Sequence, residues 1–291
     1  MKRYKKEEAG KLEVGQILYT KHFSLTLDRN LCKGCELCKL ICPREAISLV
    51  PTDSTEGKAS VHLVDVNENK CDFHGICAVI CPFSAIKITM NGENRLPAVE
   101  KEVFPILTRD IDVCSEKCAP GCKKCEETCP LGIISVKENK SGPVVEIQKD
   151  LCASCQICWV ECPTDAISVT KFYEGSVNIC SEACPEGCKN CIDACPVNAL
   201  ALNEEGRVFA KNINCIYCGA CLQVCPERDA LSVERTAVRH TPVDSGAWHK
   251  GLSKITSADG LARELAGGRI SRVRKAVSNL NSGELDTTEE G

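Results

Sequence analysis

The stretch CKGCELCKLICP, residues 32–43, decides how the chain is read. Cys32, Cys35 and Cys38 stand two residues apart, and Cys42 follows directly before Pro43. The same pattern returns as CASCQICWVECP at 152–163 and as CIYCGACLQVCP at 215–226. A string that recurs within one chain is a repeat, and it organises everything else. Three variant clusters end in the same Cys-Pro. They are Cys71, Cys77 and Cys81; Cys114, Cys118, Cys122, Cys125 and Cys129; and Cys180, Cys184, Cys188, Cys191 and Cys195. The six clusters hold all 25 cysteines of the 291 residues.

Composition narrows the options. Aromatic residues make up only 4% of the chain, too few for an ordinary core of this size, because rings normally supply much of the buried area. Something else must tie the chain together. The formal net charge of −4 leaves no global basic surface, so no nucleic acid partner is expected. The first twenty residues start basic but lack the apolar run of an export signal. No stretch of about 18 apolar residues suggests a membrane span. An extracellular disulfide scaffold would need export and usually an even cysteine count. The expectation is a cytoplasmic protein whose reduced thiolates bind metal.

Each Cys-Pro is followed by a short, β-prone, alternating stretch. These are 46–50, 85–88, 133–136, 166–169, 199–202 and 230–233. Strand-like segments also precede the motifs, among them 144–147 and 207–210. Within a motif, the fourth cysteine lies one helical turn beyond the third and points elsewhere. Proline then ends the helix, because it lacks an N–H and disfavours helix in the residue before it. Gly34, Gly75 and Gly219 fall inside the loops, where tight turns need them.

The spacing resembles that of bacterial-type ferredoxins that carry two iron–sulfur clusters. The resemblance covers about residues 26 to 235. It implies an α+β fold of three tandem ferredoxin-like two-cluster modules, with a helical tail. The expected divisions are an N-terminal extension (1–25), module 1 (26–89), a linker (90–113), module 2 (114–172), module 3 (173–235) and a C-terminal helical or docking tail (236–291). A module of this size has a marginal core, and metal supplies the missing cross-links.

In such ferredoxins the fourth cysteine ligates the other cluster of its module. Carried onto this chain, with modules paired in sequence, the resemblance implies six 4Fe-4S sites. The first is Cys32, Cys35, Cys38 and Cys81, and the second Cys71, His74, Cys77 and Cys42. The third is Cys118, Cys122, Cys125 and Cys162, and the fourth Cys152, Cys155, Cys158 and Cys129. The fifth is Cys184, Cys188, Cys191 and Cys225, and the sixth Cys215, Cys218, Cys221 and Cys195. A nested pairing, first motif with last, would redistribute the fourth cysteines. Motif two lacks its second cysteine, and His74 stands there. Four readings of that slot stay open: His74 on iron, a three-iron cluster, solvent or Asp72 on the fourth iron, or His74 only hydrogen-bonding near a cluster. Cys114 and Cys180 are extras, either alternative ligands or free thiols.

Two rival chemistries fit less well. Cys118-x3-Cys122-x2-Cys125 and its equivalent from Cys184 have a spacing used by radical S-adenosylmethionine enzymes. Both continue in ferredoxin register, and no barrel can be drawn around them. Zinc does not explain three cysteines at double two-residue spacing with a fourth before proline. No nucleotide-binding glycine pattern or nucleophile set occurs. His62, His240 and His249 read as surface or packing residues.

Between motifs two and three, Val103, Phe104 and Ile106 are expected to pack on module 1. In the tail, a helix is expected from Leu252 to about Leu280, with Arg263, Arg269, Arg272, Arg274 and Lys275 along it. Trp248 is either part of a structural cap or an anchor for a partner. The tandem motifs and the five-cysteine variants resemble the polyferredoxin subunit of formylmethanofuran dehydrogenase. That subunit has eight motifs where this chain has six. The resemblance implies a non-enzymatic electron-wiring subunit of an anaerobic, hetero-oligomeric oxidoreductase, with a tungsten or molybdenum enzyme among its partners. A free low-potential carrier and an enzyme with an open site at His74 are the alternatives.

Overall fold

The computed structural model describes residues 1–51, 62–139 and 142–267. In the first third, strands β1 (Lys2–Glu8), β2 (Lys11–Ile17) and β3 (His22–Asp28) precede helix α1 (Leu37–Ile41) and β4 (Ile47–Pro51). Then come β5 (His62–Val66), α2 (Ile76–Val79), β6 (Ile86–Met90) and α3 (Pro97–Glu100). The middle third holds β7 (Ile111–Val113), α4 (Lys124–Thr128), β8 (Ile134–Asn139), β9 (Gly142–Ile147), α5 (Ile157–Val160) and β10 (Ile167–Val169). The last third holds β11 (Tyr173–Ile179), α6 (Asn190–Asp193), β12 (Leu200–Leu202), β13 (Val208–Ala210), α7 (Ala220–Val224), β14 (Leu231–Val238) and α8 (Gly246–Leu252). A further helical turn pair runs over 258–267.

One pairing rule repeats in each third. The strand before the first motif pairs antiparallel with the strand after the second, as β3–β6, β7–β10 and β11–β14. The strands between the motifs form an inner hairpin, as β4–β5, β8–β9 and β12–β13. The two short helices of each third pack together. This closes a small ferredoxin-like module around the cysteine loops.

Alternation sets which face is buried. In the first module Leu12, Val14, Leu25, Leu27, Ile86 and Ile88 all turn inward. Their register stacks Leu12 on Leu27, Val14 on Leu25, Leu27 on Ile86 and Leu25 on Ile88. Each such side chain contributes about 1.5–3 kcal/mol when fully buried. Residues 1–25, expected as an extension, therefore complete the module 1 sheet in the order β1-β2-β3-β6. At Gly15 a Cβ would lie 2.1 Å from the Tyr4 ring, so only glycine lets that ring cross the hairpin.

The linker and the tail also differ from expectation. Residues 111–113 belong to the second module as β7. Phe104 is buried, but Ile106 is 57% exposed rather than packed. Residues 106–108 instead pair with the tail: Thr241 donates its N–H to the Ile106 carbonyl at 2.9 Å, and Leu107 bridges His240. The single long helix expected from Leu252 is broken. Helix α8 ends there, and the Ser257 N–H turns to the Arg235 carbonyl at 2.8 Å. Ser257 then caps the next turn by accepting from the Gly260 N–H. Arg269, Arg272, Arg274 and Lys275 lie outside the described residues.

Trp248 is fully buried, which removes it as an exposed anchor. His240 Nε2 stands 3.1 Å from both the Trp248 indole Nε1 and Glu264 Oε1. Gly251 lets α8 approach Ile41 and Ile76 on the first module's helices. The described part of the tail is thus a strut across the modules, and one apolar core runs from Leu12 to Ile255. Trp248→Ala should cost about 3–5 kcal/mol, read as a lower urea midpoint. A midpoint equal to that of the unchanged protein would refute the strut.

Candidate metal centres

The cysteine loops owe their shape to paired left-handed residues. Gly34 and Glu36 flank Cys35 at φ 62° and 57°, and Ser154 and Gln156 flank Cys155 at 57° and 65°. Tyr217 and Gly219 flank Cys218 at 51° and 85°. Phe73 and Gly75 flank His74 in the same way, at 58° and 89°. The backbone around His74 is therefore that of a second-cysteine slot. Such turns aim successive amides into the concavity, where they favour negative charge. The Ser154 and Tyr217 N–H groups donate to the sulfurs of Cys152 and Cys215 at 3.4 and 3.3 Å.

Side chains from paired motifs meet across each module. Cys32, Cys35, Cys38 and Cys81 line one cavity, walled by Leu27, Val64 and Phe83. Cys42, Cys71, His74 and Cys77 line a second, with Asp72 and Arg44 at its edge. Cys129, Cys152, Cys155 and Cys158 line a third. Cys162 stands with Cys118 and Cys122, and Cys225 with Cys184, Cys188 and Cys191. Cys195 stands with Cys215, Cys218 and Cys221. The groupings follow sequential rather than nested pairing. Cys114 and Cys180 are exposed on the rim.

Electrostatics makes these pockets unfavourable for bare thiolates. Burial pushes the Cys155 thiol up to about 11, and Cys158 and Cys218 to about 12. Cys35 and Cys38 are raised well above the ordinary range for the same reason, with neighbouring sulfurs adding repulsion. A cation must replace the protons before so many sulfurs can ionise together. Among the described residues, no three Cys, His, Asp or Glu side chains close in tightly enough for a single metal ion. Sulfurs ringing a wider cavity fit a multi-iron cluster, with apolar walls and inward amides.

The fourth cysteines show a further regularity. Three residues on, Glu45, Ser84, Gly132, Asp165 and Asn198 all have φ between 49° and 61°. That turn lets the next amide donate to sulfur, at 3.4 Å for Ala46 to Cys42 and Ala85 to Cys81, and at 3.3 and 3.2 Å for Ala166 to Cys162 and Ala199 to Cys195. Motif six carries one extra residue before Ala230. The Cys225 sulfur accordingly faces the Glu227 carbonyl at 3.1 Å. The sequence displays the extra residue, although only the folded turn shows what it changes.

His74 is half-buried beside Phe104, 5.7 Å away edge to face. Burial holds its pKa below the usual value, more strongly than Asp72 raises it, so the ring is neutral at physiological pH. Its Nδ1 accepts the Ile76 N–H at 3.2 Å, and Nε2 stands 3.5 Å from Asp72 Oδ1. Arg109, Lys171 and Arg235 also reach the cysteine loops, which no motif foretold.

Fold and loops together define a ferredoxin-type iron–sulfur protein. Family models agree: a 4Fe-4S dicluster domain matches residues 31–85, a second 4Fe-4S dicluster domain matches 183–231, and a 4Fe-4S binding domain matches 145–168. The chain is built of tandem ferredoxin-like dicluster modules. It is similar to a chain of the formate dehydrogenase–heterodisulfide reductase–formylmethanofuran dehydrogenase complex from Methanospirillum hungatei. That similarity has a TM-score of 0.78 at 29% identity, over 88% of this chain and 92% of that one. No curated protein sequence matches. No helix among the described residues is long and apolar enough to cross a membrane.

Removing one residue from the motif-six turn, by deletion of Arg228, should restore the sulfur-facing amide at Cys225. An added N–H donor to sulfur favours the more negative, reduced state. An EPR-monitored titration should then show one cluster with a raised midpoint. Identical midpoints in both proteins would argue against this role for the turn.

Proposed function

We propose that the chain is the electron-wiring subunit of a cytoplasmic, hetero-oligomeric redox complex and carries six 4Fe-4S clusters in the six residue sets named above. The observation that carries this reading is the grouping of each fourth cysteine with its partner motif, against two apolar cores. The likeness to a chain of a complex containing formylmethanofuran dehydrogenase supports a partner enzyme of that kind, and the sequence resemblance implies a tungsten or molybdenum centre in it.

When bound, a cluster accepts and gives up one electron at a time. The protein's part is to hold the sulfurs, exclude water with Leu27, Phe83, Ile133 and similar walls, and supply amide donors that set potential. His74 completes the second site. A neutral ring is the form that would bind metal, one nitrogen offering its lone pair while the other keeps the proton. Cys114 and Cys180 stay off the metal, as exposed neighbours of Cys118 and Cys184.

Anaerobically purified protein should contain about 24 irons and equal acid-labile sulfide per chain, as six four-iron clusters require. About 20 would empty one site, and several zincs with little iron would end the electron-wiring reading. His74→Cys exchanges a neutral ligand for an anionic one, so the midpoint of one cluster should fall. An EPR spectrum and midpoint identical to those of the unmodified protein would show that His74 is not on iron.

A further inference from the structure

Three cations stand where the modules meet, and none is a metal ligand. Arg109 donates to the Cys152 carbonyl of the second module and, at 3.5 Å, to the Cys81 and Pro82 carbonyls of the first. It also reaches Ser84 Oγ at 3.0 Å and stacks over Phe172. Lys171 donates to the Asn212 and Cys215 carbonyls, both at 2.8 Å. The sulfurs of Cys215 and Cys155 both act on its charge. Arg235 is buried and donates to the Tyr217 and Cys218 carbonyls at 2.6 and 3.0 Å. A Cβ on Gly219 would lie 3.0 Å from Arg235 Nη2 and 3.7 Å from the Cys35 carbonyl. That close approach brings the sixth site against the first.

Three cysteine sets therefore face one another: the set with Cys35, the set with Cys155 and the set with Cys218. One cleft confirms the shared meeting point, since Cys32, Pro130 and Cys195 from the three modules all line it. Each pair of sets has one cation at its boundary. Among the described residues, no carboxylate forms an ion pair with any of the three. Arg235 is buried and Arg109 and Lys171 are half-buried, with Asp150 acting on Arg109 from beyond ion-pair distance, and a desolvated cation without a close counter-charge is costly. A thiolate-ligated cluster is anionic, and it supplies that counter-charge here.

We propose that Arg109, Lys171 and Arg235 are the counter-ions of the three inner clusters and bind them into a three-way electron junction. This rests on the electron-wiring reading. The three remaining sites, those of His74, Cys122 and Cys188, are the ports, one per module. Clusters held at a port and at the inner sites would let an electron given by a reduced redox-protein partner, itself oxidised by one electron, reach an oxidised partner at another port, with the three cations holding the inner sites' negative charge. No bond forms or breaks. Each cation favours the added negative charge at the two sites it separates.

The test uses the full chain loaded with clusters. Lys171→Met and Arg109→Gln should each lower the midpoints of two clusters by at least tenfold in the reduction equilibrium, about 59 mV for one electron. Iron content should hold, and Lys171→Arg and Arg109→Lys should restore the potentials. Unmoved midpoints in fully loaded neutral variants would overturn the proposal. So would iron loss that the charge-keeping variants repair with midpoints no different from those of clusters left in the neutral variants. As a second arm, Cys122→Ser with Cys125→Ser removes one port. Flash reduction should still equilibrate the other two ports at the original rate, whereas a linear wire would lose that exchange. Absence of iron–sulfur signals in the unmodified protein would sink the electron-wiring reading itself, a distinct outcome.

Discussion

Sulfur that is buried must give up its proton to a metal or keep it, and this choice governs the molecule. The chain has little aromatic mass with which to build a core. Its thiols sit in apolar pockets where ionisation is unfavourable, as the raised values of Cys155, Cys158 and Cys218 show. Metal resolves the conflict by replacing protons and crossing the strands at once. The modules are then cross-linked units whose short strands would be marginal alone.

The backbone is arranged around that exchange. Left-handed residues on both sides of the second donor turn amides inward, and a left-handed residue after each Cys-Pro, except in motif six, brings another amide toward sulfur. These are costly conformations for Phe73, Tyr217 or Asp165, and here they lie around a sulfur or His74. Local strain is thus spent on the potential of the site. The outer and inner strand pairs hold the loops at fixed separation while contributing little bulk of their own.

Contacts between modules matter as much as those within them. Phe172 and Tyr173 sit in the common core, and the Tyr173 hydroxyl donates to the Ile80 carbonyl of the first module. The N-terminal hairpin extends the first module's sheet, and Trp248 packs into the same core as its Leu12 and Val14. Arg235, the buried cation among the described residues, stands beside a cysteine loop, where an anionic centre can balance it.

Much was legible from cysteine spacing alone, because ligand geometry constrains residues only a few positions apart. The six strands after Cys-Pro were readable in this way, as were the short helices and the slot at His74. Sequence patterns did not reveal the sheet role of residues 1–25, the exposure of Ile106, the break after α8 or the burial of Trp248. Each of those depends on a partner surface far away in the chain. The same holds for Arg109 and Lys171, whose charges meet carbonyls of other modules, and for Arg235, which meets carbonyls of its own module's cysteine loop. The amino-acid order determined what each loop can bind, since thiolate spacing is a local property. Tertiary structure alone decided which loops face one another, because that follows from burying apolar surface and unpaired charge across distant segments.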